Sequence, residues 1–336
     1  MPLPLILAGL AAAAAGAGVV KGVEAYQKNK EAQKVNAEAV AIHEKAKNTA
    51  NAARQNANDS LEILGQKKLD ILSNNIARFI ETFSQIHDIE LEDSEGLKEL
   101  ESFKLDTQSL GELKEQSKLA IDMASGLANG TIVGGLTALG AYGATMSFGA
   151  ASTGTAIASL SGVAATNATL AFLGGGSLAA GGFGMAGGTV VLGGLVAGPA
   201  LAVLGFMLNA KAEKNVDTAY SNLSQAHQIK EELLLVTDLC NKISERANMY
   251  KKLLYKLEIL FGPLLEQMEA IVSIYGTDFR EYNPSHKRMI ALAMSVAKAI
   301  KAVLDTPILK EDGSIDESSK TLVQDTEAFI AQIAPK

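Results

Sequence analysis

Residues 189–208 read TVVLGGLVAGPALAVLGFML, twenty residues without a charge, about the ~20 that an α-helix needs to cross a ~30 Å hydrocarbon layer. The run ends against Asn209, Lys211 and Lys214, and Pro199 inside it predicts a kink of the kind that neighbouring helices tolerate in a bilayer. Reading outward, the uncharged character does not stop at this span. No Asp, Glu, Lys, Arg or His occurs anywhere from Met123 to Ala210, 88 residues in all. At the usual charged fraction a segment of that length carries roughly 22 such residues, so the block is a property of the chain and not an accident. The 30 basic and 37 acidic residues all lie outside it, in two solvated arms joined by an apolar middle.

That middle holds 21 of the chain's 31 glycines. Where lipid removes the hydrophobic drive between helices, association depends on van der Waals packing, and small residues four apart let backbones approach. The spacing recurs at Gly126, Gly130 and Gly134, at Gly154 and Gly162 on either side of Ala158, at Gly184 and Gly188, and at Gly194 and Gly198. Residues 154–173, GTAIASLSGVAATNATLAFL, form a second candidate span and residues 127–147 a weaker third, with the glycine-rich GGGSLAAGGFGMAGG of residues 174–188 read as a turn or a thin, closely packed helix. Hydroxyls together with Asn129 and Asn167 need partners inside lipid, which points them at other helices or at a water-filled lumen.

The amino terminus repeats the theme. Residues 3–20, LPLILAGLAAAAAGAGVV, are apolar and are followed by Lys21, Lys28 and Lys30. No basic side chain precedes them, which reads as an uncleaved anchor with its lysine-bearing side in the cytoplasm rather than as a signal peptide, with interfacial packing against the main block as the alternative for so Ala-rich a run.

The arms read as helical. Residues 27–122 contain no proline, and Leu69, Leu72, Ile76, Phe79, Phe83 and Ile86 step by three and four along one face, whereas residues 27–58 are polar almost all round and read as a solvent-exposed stalk. Residues 211–275 read as one long helix with apolar positions near heptad spacing, from Ile229 through Cys240 to Ile271, bent at Gly262 and Pro263 and approaching ~100 Å at ~1.5 Å per residue. A break follows at residues 276–284, then short helices over 285–304 and 318–333. No stretch alternates with period two. The expected fold is all α, divided into an apolar segment at 1–26, a helical arm at 27–122, the uncharged glycine-rich membrane block at 123–210, a long helical arm at 211–275 and short helices over 276–336.

The same residues exclude several kinds of chemistry. One cysteine, Cys240, forms no intramolecular disulfide and no multi-cysteine metal site. No Walker motif, HExxH, GxSxG or CxxC occurs, so neither catalytic residues, nor a metal, nor a cofactor is expected. A net charge of −7 argues against bulk DNA binding. One cluster suits an anion: Arg246, Lys251, Lys252 and Lys256 interleaved with Tyr250 and Tyr255, cations and aromatic faces that fit phosphate with base stacking, or an anionic lipid surface. The competing reading is a solvated helix face.

Long helices flanking a Gly/Ala-rich hydrophobic hairpin, carried here by residues 174–208, resemble α-helical pore-forming toxins of the haemolysin E type and apolipoprotein L proteins. With the opening MPLPLILAGLAAAAAGAGVVKGVEAYQKNKEAQK, the chain also looks like bacterial glycine-zipper membrane proteins, some of them effectors of antiviral defence. It departs from secreted pore formers in its amino-terminal apolar segment. The resemblance implies a trigger-regulated channel or pore in a bacterial inner membrane, assembled as a homo-oligomer with its charged arms cytoplasmic and controlled by a nucleotide or oligonucleotide signal. The alternative is a membrane-anchored helical scaffold that binds a protein partner.

Overall fold

The computed structural model describes residues 17–89, 107–128, 136, 139–141, 216–309 and 315–333. These are mostly helical, with two isolated bridges, His87 to Asp278 and Leu309 to Ile315, and no strand among the described residues. Helix α1 spans Ala17–Asp70 and passes through a π-helical turn at Ile71–Ile76 into α2, Ala77–Phe83. Helix α3 spans Thr107–Ala128, α4 spans Val216–Tyr275, α5 spans Pro284–Asp305 and α6 spans Ser318–Ile333. None of the helices among the described residues is long and apolar enough to cross a membrane. Most of the uncharged block, and with it Gly130, Gly134, Gly154, Gly162, Gly184, Gly188, Gly194 and Gly198, lies outside the described residues.

The chain divides into two compact units. The first contains α1 as far as Ala53 and α4 as far as Asp238. Its core is small-residue packing: Ala39, Ala46 and Ala50 pack with Ala226, Ile229 and Leu233, and Ala32 and Val35 pack with Ala219. Buried positions on α1 fall at 32, 35, 36, 39, 43, 46, 50 and 53, and on α4 at 219, 222, 226, 229, 233 and 236, steps of mostly three and four that keep one seam facing a neighbour. Two polar pairs fix the register. The Asn222 amide donates to Asn36 Oδ1 at 3.0 Å inside the seam, and the Tyr220 hydroxyl donates to Glu31 at 3.1 Å outside it. Numbers rise together on both helices, so they run parallel here. Residues 27–58, expected as an exposed polar stalk, thus bury an alanine face, and His43 lies fully inside it.

The second unit holds the rest of α1 and α4 with the remaining helices. The stripe expected from the sequence is its core: Leu69, Leu72, Ile76, Phe79, Phe83 and Ile86 are all buried. Phe79 stacks on Phe83 at 5.2 Å and meets Phe261 at 5.8 Å. The π-helical turn releases a carbonyl from the ordinary helical ladder, a known consequence of the wider i→i+5 repeat, and the Ser117 hydroxyl of α3 donates to Leu72 O at 2.9 Å. After α4 the chain turns at Gly276, which takes a φ of 81° that glycine adopts without strain. Asn283 then caps α5 by accepting from the His286 amide, with Pro284 at the first helical position.

Candidate functional site

The described part of the uncharged block is seated in the second unit, at a close crossing of two backbones. Helical residues Leu136 and 139–141 cross α1 at a pair of glycines. A Cβ placed on Gly65 would collide with the backbone of Leu136, and one placed on Gly140 would collide with the backbone of Leu61. Each helix therefore supplies the glycine that the other's backbone requires. Gly140 was not among the positions singled out by four-residue spacing. Gly65, with Ala57, Leu61, Leu64 and Lys68 buried around it on α1, lies outside the block and carried no signal of its own. Gly126 is on α3.

One turn beyond Gly65, Lys68 is fully buried and donates to Leu139 O at 3.1 Å and to Leu304 O at 3.3 Å. Leu304 is in the last turn of α5, where carbonyls have no intrahelical partner. Just past that helix end, the amides of Ile308 and Leu309 both donate to Ala141 O, at 2.8 and 3.1 Å. Burial lowers the Lys68 ammonium to about 7, with the nearby Asp305 carboxylate opposing the shift. Asp305 itself accepts from Gln116 of α3 at 2.9 Å and pairs with Lys301, which also pairs with Glu112 of α3 at 2.7 Å.

The expected anion patch is dispersed. Tyr250 is fully buried, where desolvation pushes its phenol well above the ordinary tyrosine value, so its ring is core and not a stacking platform. The face of Tyr255 is taken by Lys67, whose ammonium sits 4.2 Å from the ring centroid and pairs with Glu258. Lys256 is held by both oxygens of Glu327 on α6, at 2.6 and 2.7 Å. Lys252 is exposed and Lys251 half-buried. Arg246 reaches a cavity of about 420 Å³ between α4 and the start of α6, lined also by Lys242, Glu245, Met249, Ile315, Glu317 and Lys320. Glu317 is held below the usual carboxylate range, chiefly by its hydrogen bond from Lys320 and further by Arg246 and Lys242. The cavity thus sets three cations, Lys242, Arg246 and Lys320, against two acids of its own, Glu245 and Glu317.

A second cluster was not foreseen. His87, Asp88 and Asp278 bring three potential metal-ligating atoms within 4.8 Å of one another. The backbone does this: His87 N donates to Thr277 O, and Phe279 N donates to His87 O, at 3.0 and 3.1 Å. Arg280 pairs with Asp88 at 3.1 Å and with Asp278 at 2.7 Å. Its hydrogen bonds hold Asp278 down to about 2. The protein's own guanidinium stands between the two carboxylates, which makes the cluster a loop clasp.

Comparison of the chain with family models, with curated proteins and with solved structures gives no match.

Proposed function

We propose that the chain is a membrane-inserting, channel-forming effector whose helical arms carry and control the uncharged block. The observation that carries this reading is the parallel pairing of α1 with α4 in the first unit, from Glu31 with Tyr220 to Ala50 with Leu233. Parallel helices begin at the same end. The sequence entering α1 there is the apolar run 3–20, and the sequence entering α4 is the apolar run 189–208. The two joints are similar in length, and a lysine is the first charge in each. Lys21, Lys28 and Lys30 follow the first run, and Lys211 and Lys214 follow the second. Two uncharged runs of 18 and 20 residues that join one helix pair at one end, each followed by lysines, fit two segments entering the same bilayer from its cytoplasmic side.

Lumen size argues for a homo-oligomer, because helices from one chain enclose too little space for a channel. Arg246, Lys251 and Lys252 are the members of the cationic patch that face an anionic trigger most directly. The test is ion current and dye release with purified protein in liposomes of phosphatidylethanolamine and phosphatidylglycerol. Discrete conductance is the expected result. Stable association without flux under any nucleotide or oligonucleotide favours the anchored scaffold, and absence of membrane association overturns both.

A further inference from the structure

We infer that Lys68, Gly65 and Gly140 form a latch that holds the start of the uncharged block on the helical body, and that opening this latch is the step that frees the block. The parts are specific to that task. Lys68 bridges carbonyls from two stretches of chain far from each other, Leu139 and Leu304. The Ile308 and Leu309 amides close the same joint from the α5 side through Ala141 O. The reciprocal glycines bring the two backbones close enough for these bonds to form.

A lysine is an unusual choice for such a dry site. A methionine or leucine would fill the space without placing an ammonium in a medium that disfavours charge. What the lysine adds is a pair of donors for two backbone carbonyls, combined with a built-in weakness: a buried cation that gains by returning to water. The charged groups around the joint are Asp305 and Lys301 on α5 and Glu112 on α3, linked to one another as a separate chain of ion pairs. Lys68 therefore donates to backbone, and the body keeps its own electrostatic ties when the latch opens.

The latch itself stands on the geometry alone; its role in membrane entry rests on the function proposed above. Hydrogen exchange on the full chain in solution, without lipid, reads the latch directly. In Lys68→Met, which keeps the side-chain bulk, peptides covering 136–141 should lose protection by roughly tenfold, the equivalent of about one net hydrogen bond. Gly140→Ala, which leaves Lys68 intact, should produce the same loss, with peptides from α1, α4 and α5 unchanged in both. Protection of 136–141 within twofold of the parent in both variants overturns the latch, as does loss of protection spread equally through α1 and α5. Dye release from the same liposomes then separates the two claims. Faster release by both variants supports latch control of entry. Loss of protection without release by any form of the protein leaves the latch standing and overturns the membrane function. Release that is equal in parent and variants, despite lost protection, overturns the control of entry by the latch.

Discussion

Lys68 and His43 are both buried bases, and both tie stability to pH in the same direction. Lys68 titrates near 7 in the folded protein against about 10.5 for an ordinary lysine. Between those values the unfolded chain binds the proton and the folded one does not, so folding is favoured as pH rises from about 7 to 10.5 and the gain is lost as pH falls back through that window. Neutral Lys68 still carries two N–H donors for its two carbonyls, so deprotonation removes the charge without breaking the bridge. Urea unfolding at pH 7 and pH 9.5 should show a gain in stability, on the order of a few kcal/mol, that Lys68→Met lacks. His43 is lowered from 6.5, first by burial and then by Lys47, with Glu44 opposing. Its contribution is present above about 6.5 and is lost as pH falls below that value, where the unfolded imidazole takes a proton that the folded one resists. Thermal melts at pH 7.5 and 5.5 should show an acid-side loss that is smaller in His43→Leu.

Among the elements, the α1 and α4 seam of the first unit is set by the size of its alanines. Ala39 is fully buried in it, and Ala39→Leu should overpack the seam and cost about 1–3 kcal/mol, read as a lower urea midpoint. A substitution at an exposed α1 position such as Lys34 should change little. The same alanines explain what could and could not be read in advance. The stripe from Leu69 to Ile86 was legible because large side chains mark their face by hydrophobicity, and the short helices over 285–304 and 318–333 were legible from Asn283–Pro284 and the turn residues that bound them. The α1 stretch before residue 58 was read as exposed because alanine, asparagine and histidine at the seam positions carry little hydrophobic contrast. The patch on α4 failed as a unit for a related reason. Spacing placed Tyr250 and Tyr255 near lysines, but Tyr250 shares the buried face with Ala247 and Leu254, and Lys67 and Glu327 come from elements that local sequence does not bring to mind. Gly65 was illegible because one glycine in a helix has no meaning until its crossing partner is known.

At the scale of the molecule, the proposed function makes the block's glycines a packing requirement rather than a flexible tether. Gly194→Leu or Gly198→Leu should abolish dye release while leaving far-UV circular dichroism and hydrogen exchange of α1 and α4 as they are. Retained release in the double variant would remove the close-packing account. The parallel pairing of α1 with α4 also governs how the chain is made. Its ties join residues 186 to 191 apart in sequence, and the entropy of closing such loops is met before the contacts return anything. At ribosomal rates of roughly 5–20 residues per second, α1 waits on the order of 10–40 s before its partner exists. All of the uncharged block leaves the ribosome within that interval, so the nascent chain must commit its apolar middle to membrane, chaperone or aggregate before the helices that would restrain it have met.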